Sequence, residues 1–273
     1  MKTRIIAAAV LVPILLLLVL VAPEIAAAIV FSLLFAIAAY ELLYRTRLVR
    51  HVRLVIYSCV MAVAIGIWSY FGAIHAYAMI GLMVFSVLLF AEMMANHVKV
   101  RFEIISMCYI AGVVVPYLLS ALIRILVMYN GREVIMIPFV VAFLSDAGAY
   151  FAGLKFGKHK LAPVVSPNKT LEGVAGGVVC AMLGMVVYGL IMQLALKYRV
   201  NYGIALLYGL AGSAAGVFGD LCFSIIKRQT GIKDYGNLIP GHGGILDRFD
   251  SMMMVAPLME ALLILLPLAE EVW

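Results

Sequence analysis

Apolar residues run along this chain in long blocks rather than in alternation. Nine such blocks occupy roughly 5–21, 25–43, 54–71, 77–94, 104–126, 134–151, 171–196, 204–226 and 251–268. Each is apolar all round and close to the ~20 residues that a helix needs to cross a bilayer. A membrane β-strand would need only ~10 residues of alternating polarity. The pattern therefore predicts an all-α polytopic membrane protein with about nine transmembrane helices. Two of the polar segments between the blocks stand out, the loops 152–170 and 227–249, which collect glycine, proline and basic residues.

Composition agrees with this pattern. Of the 273 residues, 66% are hydrophobic and only 12% charged, against about 45–50% and about 25% in soluble domains. One globular core cannot hide that much apolar surface, so a soluble enzyme and a secreted scaffold are excluded. The formal charge of +6 reflects basic cytoplasmic loops, not nucleic-acid binding. The cysteines Cys59, Cys108, Cys180 and Cys222 lie singly in apolar runs without ligand spacing, as small buried hydrophobes do. Lys2 and Arg4 ahead of the first block resemble the start of a signal peptide; with eight more blocks behind it, a retained signal-anchor is expected.

Lysine and arginine positions set the orientation. With the N-terminus in the cytoplasm and the C-terminus outside, 16 of the 20 basic residues fall inside, and Arg124, Arg132, Lys197 and Arg199 fall outside. That asymmetry predicts a multi-pass protein of the cytoplasmic (inner) membrane with its chemistry facing the cytosol. All five aspartates lie between positions 146 and 250. Residues 1–133 therefore read as scaffold helices, with Glu41 and Glu92 near span ends where side chains can snorkel. Residues 134–273 read as the catalytic region, with its cytosolic loops at 152–170 and 227–249.

A charge near mid-bilayer costs about 2.5–3.5 kcal/mol on insertion scales, so Asp146 and Asp220 are functional candidates. On a helix, Asp220, Ser224 and Lys227 are spaced i, i+4 and i+7 and share a face. Asp247 and Asp250, at i and i+3, are expected to open the last helix. Mg²⁺ takes one or two carboxylates and completes its shell with water and phosphate oxygens; Asp220 with Asp247 or Asp250 would supply that set. The intervening loop carries Lys227, Arg228, Lys233, His242 and Arg248 among Gly241, Gly243 and Gly244, and glycines let backbone N–H groups approach an anion. Cations, N–H donors and metal-type acids together suit a polyphosphate, with His242 as a phosphate donor. In the other loop Lys155, Lys158, Lys160 and Lys169 surround Pro163 and Pro167. Ser166-Pro167 is expected to cap and start a helix. Gly173 and Gly177 are expected to serve close helix packing, and Glu172 is either a capping acid or part of the site.

The run Ser224-Ile-Ile-Lys-Arg, Lys233-Asp234-Tyr-Gly, Ile239-Pro-Gly-His242-Gly-Gly-Ile, Asp247-Arg-Phe-Asp250 resembles the 27-residue signature of phosphatidate cytidylyltransferases, the CDP-diacylglycerol synthases. Upstream, Ser145-Asp146, Ala149-Tyr150, Gly153, Phe156-Gly157-Lys158, Ser166-Pro-Asn-Lys169-Thr and Glu172-Gly173 are similar to the same family. The resemblance implies that CTP and phosphatidic acid give CDP-diacylglycerol and pyrophosphate with Mg²⁺, and that the protein is a homodimer. Whether a second, monovalent cation joins Mg²⁺ is left open. In that setting Asp220 and Asp247 are expected to hold metal, with Asp250 and Asp146 supporting. Lys227 with the aspartates at 220, 247 and 250 forms the expected catalytic set. Lys169, Arg228, Lys233 and Arg248 would hold phosphates, and Ser224 and His242 would hydrogen-bond them. A CTP-dependent kinase of polyprenol or another lipid alcohol is the nearest alternative, and an ion-coupled transporter a further one.

Overall fold

The structure is a computed structural model that describes residues 2–72, 75–239, 241 and 243–271. Its elements follow from the bilayer's demand that every backbone polar group be paired within the chain. The apolar blocks become helices: α1 (Lys2–Leu20), α2 (Glu24–Arg45), α3 (Val52–Phe71), α4 (His75–Ala95), α5 (Phe102–Leu126), α6 (Gly131–Phe156), α7 (Leu171–Ala195), α8 (Tyr202–Gln229) and α9 (Met252–Leu265). Among the described residues, seven helices, α2 to α8, are long and apolar enough to cross a membrane, α4 counted from Tyr77. The chain is thus a multi-pass, largely helical protein.

The first and last blocks form shorter apolar helices, Ala9–Leu20 within α1 and Met252–Leu265. The 14 residues of α9 rise about 21 Å at ~1.5 Å per residue, less than the ~30 Å hydrocarbon core. Elsewhere the expected spans and the helices agree within a few residues.

Among the described residues, two helices carry π-helical turns. In α2 the turn is Glu41–Arg45, at the end of the helix. In α5 it is Ile110–Val114, just ahead of Pro116, where the proline's missing N–H disturbs the regular ladder.

Short strands complete the described chain. Strands β1 (Lys160–Ala162) and β2 (Ser166–Thr170) pair antiparallel with an irregular register. Strand β3 (Tyr198–Val200) pairs antiparallel with β4 (Ala269–Glu271). The first pair corrects the expected cap. Ser166 and Pro167 lie in β2, and the N-cap of α7 is Thr170, whose Oγ1 accepts the Gly173 N–H at 3.1 Å.

The chain falls into two compact units, Met1–Arg132 with Lys227–Phe249, and Glu133–Ile226 with Asp250–Trp273. The first unit's core is built from buried Phe31 and Phe35 of α2, Leu54 of α3, and Ile105 and Leu122 of α5. In the second unit α6 packs on α7 through small residues. A Cβ on Gly177 would stand 2.7 Å from the Ser145 carbonyl oxygen, and one on Gly173 2.9 Å from that of Ala149. The expected packing role of these two glycines is therefore met.

Candidate functional site

Each unit carries its own polar cluster. Helix α8 runs unbroken over Tyr202–Gln229, so Asp220, Ser224 and Lys227 keep their helical spacing. The first two belong to the second unit and Lys227 to the first.

In the second unit Asp220 is half-buried. Its Oδ2 meets Lys169 Nζ at 2.5 Å, and its Oδ1 accepts from Ser224 Oγ at 3.1 Å. Lys169 is placed by β2, immediately before the Thr170 cap. Glu172, in the first turn of α7, accepts the N–H groups of Lys158 and His159 and pairs with His159 Nδ1 at 2.6 Å. These contacts tie the 157–159 segment to the start of α7, while the cap itself is Thr170. Gly219 lets the chain at Asp250 lie close to α8: a Cβ there would stand 2.6 Å from the Asp250 carbonyl oxygen. The Asp250 carboxylate accepts the Ser251 N–H at 2.8 Å. Asp146 lies on α6 on an exposed face, while its neighbour Ser145 is buried and shares a 2.6 Å hydrogen bond with Ser213.

In the first unit Asp247 is the centre. Its side chain is only 2% exposed, and that of Lys227 12%. Lys227 Nζ donates to Asp247 Oδ1 at 3.0 Å and lies over the Tyr235 ring, 5.4 Å from its centroid. The other oxygen, Oδ2, accepts the N–H groups of Tyr235 at 2.8 Å and Gly244 at 2.9 Å. Gly243 has φ +88, a left-handed backbone that favours glycine. A Cβ there would also stand 2.8 Å from Asp247 Oδ2. Asp247 sits in a separate four-residue helical turn, Leu246–Phe249, and Asp250 lies between that turn and α9. The two therefore do not open the last helix as expected, because Gly243 and Gly244 feed a local turn organised around Asp247 itself.

Arg228, Lys233 and Arg248 are exposed. His242, the expected phosphate donor, lies outside the described residues. Glu41, read from the sequence as a snorkelling acid, is instead 3% exposed and accepts the N–H groups of Ile245 at 3.1 Å and Leu246 at 2.8 Å. In the same π-helical turn, Arg45 donates to Asn237 Oδ1 at 2.8 Å. These ties across about 200 positions of chain escaped the sequence reading.

Carboxylate oxygens such as those of Asp220 and Asp247 are the ligand type that a hard cation such as Mg²⁺ takes. Among the described residues no group of three or more His, Cys, Asp or Glu side chains could hold a metal, and Mg²⁺ does not need one. A carboxylate has about four acceptor positions. Asp220 meets two donors and Asp247 three, which leaves about two positions on the first and about one on the second.

Comparison with known proteins gives the chain a family. The sequence profile of the cytidylyltransferase family matches residues 2–266. Proteins named phosphatidate cytidylyltransferase from Staphylococcus epidermidis, Staphylococcus haemolyticus and Staphylococcus aureus are each 47% identical over 135 residues. The chain spans about half the length of the curated relatives it matches, the alignment covering 50% of each and 50% of this chain.

Proposed function

Because the chain belongs to the cytidylyltransferase family, we propose that it joins CTP to phosphatidic acid, giving CDP-diacylglycerol and pyrophosphate. A phosphate oxygen of phosphatidic acid attacks the α-phosphorus of CTP. The bond from that phosphorus to the α–β bridging oxygen breaks, and pyrophosphate leaves with the electron pair. A phosphomonoester has its second pKa near ~6, so the nucleophile is largely dianionic at neutral pH and needs no general base. What the reaction needs is charge neutralisation as polyanions approach and separate.

The residues available suit that task. Asp220 and Asp247 would hold Mg²⁺, with Asp250 and Asp146 as supporting acids. The ion would neutralise phosphate charge and leave any second cation to be identified. Lys169 and Lys227 orient these two acids through their ion pairs and add positive charge beside them. Arg228, Lys233 and Arg248 would hold phosphates, with Ser224 and His242 as hydrogen-bonding partners. The protein would act as a homodimer of nine spans in the cytoplasmic membrane, N-terminus inside and C-terminus outside. Phosphatidic acid would enter from the bilayer and CTP from the cytosol.

The observation that carries this reading is the 224–250 run, in which Lys227 and Asp247, 20 residues apart, meet in one buried pair. The test uses purified protein with CTP labelled at either the α- or the γ-phosphate. The α-label should enter the lipid and the γ-label should leave as pyrophosphate. Entry of the γ-label would make the protein a lipid-alcohol kinase. Cation flux without CTP consumption would make it a transporter. Asp220→Asn should abolish α-label transfer, and full transfer by that variant at moderate Mg²⁺ would refute the metal assignment.

A further inference from the structure

Glu41 closes α2, more than 180 positions before the signature run, yet it is built into the turn that presents Asp247. Three successive N–H groups are shared between two carboxylates. That of Gly244 goes to Asp247, and those of Ile245 and Leu246 go to Glu41. Ile245 and Leu246 are 7% and 1% exposed, so without Glu41 their N–H groups would be buried and unpaired, a costly state. Leu246 also opens the helical turn that contains Asp247, where N–H groups lack partners within the helix.

The side chain has a made-to-measure space. A Cβ on Gly236 would stand 2.8 Å from Glu41 Cδ, and one on Gly244 2.5 Å from it. Neither glycine has a positive φ, so it is chiefly the Glu41 carboxylate, nearest to both built Cβ positions, that excludes a side chain at these places. The acid itself sits in a π-helical turn, a feature often found at functional sites. That turn makes a second tie to the loop through Arg45 and Asn237.

We propose that Glu41 is a positioning residue: it fixes the Gly244–Leu246 N–H groups from the end of α2 and thereby sets the pose of the Asp247 carboxylate. What Asp247 then does rests on the functional reading above. Both oxygens of Glu41 accept, so glutamine cannot substitute. Its amide would offer one acceptor and turn a donor toward a second N–H.

The test compares full-length wild type with Glu41→Gln, Glu41→Ala, Gly244→Ala and the double variant E41A/G244A. Amide hydrogen exchange is followed over 243–249, alongside the kinetics of α-label transfer. In Glu41→Gln the Ile245 and Leu246 amides should exchange about tenfold faster or more, the loss expected for hydrogen bonds to a charged acceptor. Its kcat should fall by a similar factor while KM for phosphatidic acid stays within about twofold. Gly244→Ala should reproduce that kcat loss, and the double variant should be no worse than Glu41→Ala, because the methyl enters the space the carboxylate has left; effects that share one space do not add. Glu41→Gln keeps the size of the side chain, so it remains informative if Glu41→Ala fails to fold. Unchanged exchange, unchanged kcat despite faster exchange, or multiplying losses in the double variant would each overturn the proposal. Absence of α-label transfer in the wild type, with exchange responding as expected, would sink the cytidylyl-transfer reading alone.

Discussion

Lys227–Asp247 and Lys169–Asp220 share one chemistry, but burial gives them different energetic weight. The Asp247 carboxylate is 2% exposed and that of Asp220 29%. Removing one member of a buried pair strands the other charge and costs about 3–5 kcal/mol; a fully solvent-exposed pair is worth only ~0–1 kcal/mol, and the half-buried Lys169–Asp220 pair falls between these limits. Asp247→Asn should therefore lower the thermal midpoint of the purified protein by several degrees, whereas Asp220→Asn should lower it by clearly less. Replacing both members of the buried pair by apolar residues, K227M/D247L, should recover most of the lost stability but no turnover. Recovery of neither would show that the pair's hydrogen bonds to Tyr235 and Gly244, not its charge balance, dominate the fold here. In the sequence, Asp220, Lys227 and Asp247 were legible as charges in or beside apolar runs, and their types indicated the chemistry. Their pairing was not legible, because Lys169 and Asp220 are joined only by folding.

Among the elements, the α6–α7 pair depends on close approach. Helices in lipid gain little from apolar burial against each other and rely on packing and hydrogen bonds. Gly177 and Gly173 bring backbone within reach of the Ser145 and Ala149 carbonyl oxygens. Gly177→Val cannot be accommodated beside an oxygen 2.7 Å from its Cβ unless the helices part. It should lower the thermal midpoint and reduce α-label transfer, since α7 begins at the Thr170 cap next to Lys169. An unchanged midpoint would mean that the helices separate without cost. The spacing of these glycines was readable as a packing motif. The β1–β2 hairpin was not, since its strands of three and five residues carry no alternating pattern long enough to register.

For the whole molecule, orientation follows from the basic residues. With the four native cysteines replaced, a single cysteine at Lys160 should react with an impermeant reagent only in inside-out vesicles. One at Asn130 should react only in right-side-out vesicles. The reverse result would invert the predicted topology and remove CTP access from the cytosol. That same topology places the end of α2 and the 227–249 loop on one predicted side of the membrane. An acid near the end of a span on that side was the signal that could have singled out Glu41.

The sequence by itself determined the multi-pass helical class, the extents of α2 to α8, and the concentration of acids and bases in two loops. These are local properties: in lipid a backbone must pair with itself, so a long apolar run is already a helix. Tertiary structure alone decided that Lys169 finds Asp220, that Lys227 finds Asp247, and that Glu41 reaches Ile245 and Leu246 more than 200 residues away. Such partners have no period or spacing to betray them, because a buried carboxylate is satisfied by whichever donors the packing brings to it.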